Sequence, residues 1–233
     1  MLIWLVLIPL IAAALIGLCK APARPTALLS ASLTLALGIW ALVSFDGCSS
    51  CWSRFEGMDL QLTLAPALSK VMLLLTILVT FATVLGTNPP QGGEASWYNS
   101  ALLISAGATG AFLSDNIISF FAFHELALIP TFVMIGLYGR GDRRTTAWRA
   151  TLYLGLASMV LLAALLMIGT QAGFTFSGLK DFMASGRELA HAELIGALLI
   201  AGFGTLISLF PFHSWAAPAY ASAPAPVAMM HAG

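Results

Sequence analysis

Long runs of apolar residues recur along this chain, and they constrain its fold more than any other feature. About 20 apolar residues in a helix are needed to cross the roughly 30 Å hydrocarbon core of a bilayer. The sequence holds seven such runs, and an eighth begins near Pro226 and is cut off at Gly233. The seven runs are Leu2–Leu18, Thr26–Phe45, Ala67–Gly86, Trp97–Ser114, Ile117–Tyr138, Thr146–Gln171 and Leu194–Phe212. They predict an all-α, polytopic transmembrane helix bundle with about seven spans and the start of an eighth.

The scarcity of charged residues agrees with a membrane protein. Hydrophobic residues make up 59% of the chain and charged residues 9%, with ten basic and ten acidic side chains. A soluble domain carries roughly a quarter charged residues, and a nucleic-acid binder needs a basic face. We therefore exclude a nucleic-acid partner and expect the lipid bilayer to surround the chain. The first run could instead be a signal peptide, but no Lys or Arg precedes it and it is long for that role, so we expect a retained span.

The positions of the basic residues predict the orientation in the membrane. Six basic residues lie in or beside the connections that follow the first and fifth runs. Three lie in the connections that follow the second and sixth runs. The six are Lys20, Arg24, Arg140, Arg143, Arg144 and Arg149, and the three are Arg54, Lys180 and Arg187. Because Lys and Arg accumulate on the cytoplasmic side, we expect the connections after runs one, three and five in the cytoplasm and the N-terminus outside.

The loop 46–65 would then lie outside the membrane, and it contains Cys48 and Cys51 in a CxxC arrangement. The sequence has no second CxxC and no histidine close by to complete a zinc site. An outer location favours a small structural disulfide or two free thiols over a catalytic redox pair. The third cysteine, Cys19, is expected in buried packing.

The second long connection, 172–193, mixes apolar and charged residues as an amphipathic helix does. We expect it to lie on the outer membrane surface. Neither connection is large enough to fold as a soluble domain. The residues 1–233 are therefore predicted to form a single transmembrane domain.

Glu125 lies about midway along the run Ile117–Tyr138 and is the most informative polar residue. A carboxylate at that depth costs several kcal/mol unless it is paired, hydrated or protonated, so it is a candidate for taking up and releasing a proton. Pro130, five residues later, frees the carbonyl of Leu126 and can admit water or a polar partner. His124 is adjacent and would face about 100° away on a helix, so it is either a relay residue or a satisfied core histidine.

A second polar group lies where Pro211 interrupts the seventh run. His213 and Trp215 follow the proline, and His231 falls in the apolar stretch after the Ala/Pro-rich residues 216–226. Broken helices expose backbone dipoles and allow polar groups at depth in ion-handling membrane proteins. The alternative is an interfacial His and Trp at a helix end, with Trp215 as an anchor. The two interpretations remain open on these residues alone.

The two polar groups together resemble the antiporter-like membrane subunits of respiratory complex I, most closely the subunit M type of NADH-quinone oxidoreductase. The matching segments are Phe123–Pro130 (FHELALIP), Ile135–Gly139 (IGLYG), Phe210–Trp215 (FPFHSW) and Ala223–Val227 (APAPV). The resemblance covers the whole chain and implies the N-terminal half of such a subunit. It implies a role in redox-driven proton translocation, in which Glu125 is the fifth-helix glutamate and Arg149 the basic residue near the start of the sixth helix.

The chain departs from that pattern where the family pairs the glutamate with a lysine of the seventh helix. The corresponding residue is Leu206, and Ser208 stands where a proline is usual. Leucine cannot stabilise a charged carboxylate, so the departure by itself predicts that Glu125→Gln changes proton transport little. A basic residue of a partner subunit could replace the lysine.

Three functions are consistent with the sequence. The first is a proton-translocating subunit, with Glu125, His124, His213, His231 and Arg149 as the candidate proton path. The second is a non-pumping structural subunit of the same kind of complex, and the third is a subunit of a related cation/proton antiporter or membrane-bound hydrogenase. In each case we expect other membrane subunits as partners, no cofactor on this chain, and a bacterial inner membrane. The redox chemistry would then lie in other subunits, so the chain alone would not be a complete enzyme.

The position of Gly233 within an apolar run predicts a truncated or split reading frame, because a half-inserted helix leaves backbone groups unsatisfied in lipid. A lysine-containing apolar helix encoded downstream would support this expectation. A clean stop would favour a seven-span protein.

Overall fold

The computed structural model describes residues 2–44, 49–55, 58–64, 66–89 and 92–232, without the side chains of 49–60. Most of these residues form helices, and one β-hairpin is present among them. The elements are α1 (Ile3–Gly17), α2 (Ala23–Ser44), β1 (Ser49–Phe55), β2 (Met58–Thr63), α3 (Ala67–Gly86), α4 (Glu94–Leu113), α5 (Ile117–Tyr138), α6 (Arg143–Ala172), α7 (Phe176–Ala184), α8 (Ala192–Leu206), α9 (Ala216–Ser222) and α10 (Ala225–Ala232).

Each of the seven apolar runs corresponds to a helix, and the bounds of α3 and α5 coincide with the predicted ones. Among the described residues, four helices are long and apolar enough to cross a membrane, namely α2, α3, α5 and α6. The helices α1 and α8 are apolar but shorter. The chain therefore folds as a mainly helical membrane bundle.

The loop 46–65 departs from the all-helical expectation, because β1 and β2 pair there as an antiparallel hairpin. The register runs from Ser49 opposite Thr63 to Phe55 opposite Met58, with an irregularity between Cys51 and Ser53. The aromatic residues of β1 and Thr63 of β2 suit a strand better than a helix.

Of the cysteines, Cys48 lies outside the described residues, and so does the side chain of Cys51. The disulfide therefore remains a prediction. Cys19 is exposed, which contradicts its expected burial. It follows the end of α1 at Gly17, where the chain turns toward α2.

The helix α4 lies at the centre of the bundle and packs against α1, α2, α3 and α5. Glycine, alanine and serine on several of its faces let these neighbours approach closely, and Tyr98 and Leu102 are fully buried. On the other side α6 packs against α5 and α8. The last helix, α10, contacts both α3 and α5, so the end of the described chain returns to the middle of the bundle.

One end of the bundle gathers three connections around Asp115. Its backbone N–H donates to the carbonyl of Gln61 in β2 at 3.0 Å, and its carbonyl accepts from the backbone N–H of Phe176 at 2.7 Å. Its carboxylate accepts from the hydroxyl of Ser177 at 2.7 Å and from the N–H of that residue at 3.1 Å. The hairpin, the α4–α5 connection and the start of α7 therefore lie together, as the predicted alternation of spans requires.

The opposite end joins the α3–α4 and α5–α6 connections to the end of α9. The hydroxyl of Tyr138 donates to the carbonyl of Gly93 at 2.6 Å. Arg140 and Ser222 exchange two hydrogen bonds, because the N–H of Arg140 donates to the Ser222 carbonyl at 2.8 Å and the Ser222 hydroxyl donates to the Arg140 carbonyl at 2.8 Å. The connections after α3 and α5 thus share this end with the end of α9.

Within the segment 172–193, which the sequence predicts to be amphipathic, the helix α7 covers only Phe176–Ala184. Phe182 is its buried residue, and the Arg187 guanidinium lies 4.3 Å from the centre of the Phe182 ring. Met183 is exposed. The short helix thus presents apolar and charged side chains at the end of the bundle that also carries the hairpin.

Candidate functional site

Asn116 fixes the start of α5 and thereby the positions of the polar residues further along the helix. Its side-chain oxygen accepts from the backbone N–H groups of Ile118 at 2.8 Å and Ser119 at 3.3 Å. An Asn at this position satisfies N–H groups that the helix itself leaves without partners. The helix then continues through Pro130 to Tyr138.

His124 and Glu125 meet about two turns after that cap. The Nδ1 atom of His124 lies 3.4 Å from Oε1 of Glu125. The two side chains are 23% and 29% exposed, and neither of these two atoms has a hydrogen-bond partner within the described residues. The polar ends of the two adjacent side chains thus meet, although only His124 lines the cavity beside α5. Glu125 is half-buried in the chain rather than deeply enclosed.

Two glycines of α4 allow α5 to approach at this point. A Cβ atom on Gly107 would lie 2.7 Å from the carbonyl oxygen of Phe123 and 2.8 Å from the backbone nitrogen of Ala127. A Cβ on Gly110 would collide with the Phe123 ring. The two contacted residues, Phe123 and Ala127, lie on either side of His124 along α5. The packing of α4 therefore sets where the histidine–glutamate pair lies.

A cavity of about 570 Å³ opens beside His124. Its wall on α5 is formed by residues at helical spacing, which are Phe120, His124, Ala127, Leu128 and Thr131. The end of α8 contributes Leu206, Ile207 and Ser208, and α9 and α10 contribute Tyr220 and His231. Two of the predicted site residues, His124 and His231, thus face one space. Leu206, at the position of the expected lysine, lines that space too.

The helix α8 ends beside this cavity, earlier than the proline pattern predicts. Ser208 has a left-handed backbone, with φ of 58°. The N–H of Leu209 donates to the carbonyl of Gly204 at 2.7 Å, and the N–H of Ser208 donates to the carbonyl of Thr205 at 3.1 Å. These two bonds form a Schellman motif, which satisfies the last carbonyls of a helix. The helix therefore stops through its own capping, before Pro211.

Trp215 lies across the break and is only 2% exposed. Its indole N–H donates to the Thr205 carbonyl at 2.9 Å. A membrane-surface anchor would be exposed, so the anchoring role considered for Trp215 does not apply within this chain. Its ring is 5.6 Å from that of His231, and the ring of Tyr220 is 5.5 Å from His231.

The other two predicted residues lie apart from the cavity. His213 is exposed within the break, and its ring is 5.6 Å from that of Phe210. Arg149 is exposed on the second turn of α6. Sequence reasoning missed Thr131, Ser208 and Tyr220 as lining residues. The spacing of Thr131 from His124 and Leu128 places it on their helix face and could have identified it.

The fold and the site define a class, which is a membrane helix bundle with an interrupted helix and an open cavity beside a histidine–carboxylate pair. The chain belongs to the NADH:quinone oxidoreductase/Mrp antiporter transmembrane family, whose sequence profile matches residues 114–233. The matched region contains α5, the break and α10. Membership confirms the resemblance drawn from the two polar groups.

Similar proteins extend this result to the rest of the chain. The chain is 31% identical over 172 residues to the NAD(P)H-quinone oxidoreductase chain 4 2 of Microcystis aeruginosa, a match covering 71% of this chain and 30% of that one. It is 24% identical over 237 residues to the F(420)H(2) dehydrogenase subunit M of Methanosarcina mazei, covering 94% and 48%. A chain in the structure of respiratory complex I from Thermus thermophilus superposes with a TM-score of 0.84 at 25% identity, covering 98% and 49%. This chain thus spans a third to a half of these relatives.

Proposed function

We propose that this chain is a membrane subunit of a proton-translocating NADH:quinone oxidoreductase and that it contributes the His124–Glu125 pair to a proton path. The observation that carries the proposal is the 3.4 Å approach of His124 Nδ1 to Glu125 Oε1 beside a cavity of about 570 Å³. Family membership supports it. The redox chemistry lies in other subunits, and we expect no cofactor on this chain.

The pair supplies what the sequence lacks at position 206. A lysine there would stabilise the charged carboxylate, and Leu206 cannot do so. A protonated His124 can, because opposite charges at this distance attract strongly away from bulk water. A proton can then pass between the imidazole and the carboxylate, and the cavity has room for several waters to exchange it. With this base present we expect Glu125→Gln to reduce transport, in contrast to the expectation drawn from Leu206 alone.

His231 extends the path on the other side of the cavity. It faces the same space as His124, with Thr131, Ser208 and Tyr220 on the wall between the helices. Hydroxyl groups can both donate and accept, so they can hold water in a chain between two histidines. His213 and Arg149 are exposed in this chain, and roles for them require subunits or chain segments that pack on these surfaces.

The membrane arrangement that we propose has seven spans and the start of an eighth. The seventh span consists of α8 and α9, because the hydrogen bond from Trp215 to the Thr205 carbonyl joins the two helices across the break. Exposed Leu, Ile and Val side chains on α2 and α6 would face lipid or neighbouring membrane subunits. The N-terminus and the hairpin lie outside a bacterial inner membrane, and α7 lies at its outer surface.

Purification of the full chain with its native partners tests the proposal. A tagged chain is isolated from its own membranes, and the preparation is assayed for NADH:quinone oxidoreduction and, in liposomes, for NADH-driven proton uptake. Both activities are expected. Oxidoreduction with a normal proton yield that is unaffected by His124→Gln and Glu125→Gln would indicate a non-pumping structural subunit. Cation exchange driven by a pH gradient, without NADH oxidation, would indicate the alternative function as a cation/proton antiporter subunit. The matched family also includes Mrp antiporters.

A further inference from the structure

A second, much smaller cavity lies between α3, α4 and α10. Its volume is about 20 Å³, and its lining includes three residues with a hydroxyl group, Thr76, Thr80 and Ser105. These three residues are 5%, 3% and 1% exposed. The three hydroxyl-bearing residues beside this small cavity are therefore almost entirely buried.

Ser105 has an unmet hydrogen-bonding requirement at this cavity. Its hydroxyl oxygen is buried and has no partner within the described residues. Thr76 differs, because its hydroxyl donates to the Met72 carbonyl of its own helix at 2.8 Å and keeps its lone pairs free to accept. An unpaired buried hydroxyl costs free energy, so a partner in the cavity would stabilise the fold.

The size of the cavity suits one particular partner. A single water molecule requires a cavity of at least about 10–15 Å³ and typically makes about three hydrogen bonds. Here it can accept from Ser105 and from Thr80 and donate to the free lone pair of Thr76. Larger ligands do not fit. The remaining walls include Ile104, Ala108 and Met230, which also line the larger cavity beside His124.

We propose that Thr76, Thr80 and Ser105 hold one ordered water molecule that bridges α3 and α4. Met230, which is 7% exposed, separates this water from the larger cavity. The bridge joins α3 to α4, and Met230 of α10 packs beside it. This inference stands on the hydroxyl groups and the cavity, and it does not depend on proton translocation.

Thermal unfolding of the purified chain with its native partners tests the bridge, because the presence of the water decides whether a mutation lowers or raises the unfolding temperature. If the water is present, Ser105→Ala removes a hydrogen bond and leaves the water with too few partners, which lowers the unfolding temperature by about 2–4 °C. If the cavity is dry, the same change removes an unpaired hydroxyl and raises the unfolding temperature or leaves it unchanged. That outcome would overturn the proposal.

Ser158 provides a matched control. It is fully buried on α6, its hydroxyl oxygen also has no partner within the described residues, and it lines none of the cavities described above. Ser158→Ala is therefore expected to leave the unfolding temperature unchanged or raised. A high-resolution map of the assembled complex gives an independent readout. Density for one water among the three hydroxyls supports the proposal, and an empty cavity overturns it.

Discussion

The indole N–H of Trp215 donates a hydrogen bond to the carbonyl of Thr205, 2.9 Å away, across the gap between α8 and α9. Thr205 lies in the last turn of α8, where carbonyls lose their helical partners. The buried tryptophan therefore joins the two pieces of an interrupted helix, and its ring reaches His231 on α10.

Replacing Trp215 by Phe should destabilise this junction. The phenyl ring keeps much of the packing but cannot donate, and we expect a loss of about 1 kcal/mol because Thr205 also accepts a backbone hydrogen bond. The unfolding temperature of the purified complex measures the loss. Trp148→Phe is the matched control, since Trp148 is 59% exposed. Equal effects of the two changes would show that the indole hydrogen bond does not matter.

Gly107→Ala should displace the polar pair. The new methyl group would lie 2.7 Å from the Phe123 carbonyl oxygen, so α4 and α5 must separate. Overpacking of this kind typically costs about 1–3 kcal/mol. We expect lower stability together with reduced proton transport. Gly155→Ala, on α6 where a Cβ meets nothing within 4 Å, should leave both unchanged. Wild-type behaviour of Gly107→Ala would show that this close approach does not position the site.

Leu206→Lys tests the departure from the family pattern. An ammonium group in the cavity shared with His124 would oppose protonation of the imidazole, so the pH dependence of transport should move to lower pH by roughly one unit. The pH profile of NADH-driven proton uptake in vesicles measures this shift. Leu206→Met retains an apolar side chain of similar volume and should keep the wild-type profile. A shift to higher pH, or none, would contradict a shared cavity that controls proton transfer.

Cys19 offers a direct test of orientation, because it is exposed at the end of α1. In a variant carrying Cys48→Ser and Cys51→Ser, the remaining thiol should react with a membrane-impermeant maleimide only in inverted vesicles. This follows from an outside N-terminus and one crossing by α1. Labelling of Cys19 from the outer face of intact cells would contradict the proposed topology and indicate the opposite orientation.

The positions of the helices follow from the sequence because lipid leaves the chain few alternatives. An apolar run long enough to cross a bilayer must satisfy its backbone internally, so α3 and α5 begin and end where their runs do. The hairpin could not be inferred in the same way. Short strands depend on cross-strand pairing, which a count of apolar residues does not reveal.

The site was only partly predictable for a related reason. The depth of Glu125 in its run makes it a candidate functional residue, but the position of a residue along a helix does not fix its rotamer. The contact with His124 therefore appears only in three dimensions. The end of α8 depends on a left-handed Ser208, and serine rarely signals such a cap.

A double-mutant cycle on His124 and Glu125 tests the central claim most directly. The measurement is proton uptake per NADH oxidised, in vesicles containing the wild-type complex, His124→Gln, Glu125→Gln or both changes, with His191→Gln as an exposed histidine control. If the two residues exchange one proton, each single change lowers uptake by about tenfold or more and the double variant is no worse than the poorer single one. The control keeps wild-type uptake. Single variants with wild-type uptake, or losses that multiply in the double variant, would contradict a shared proton site.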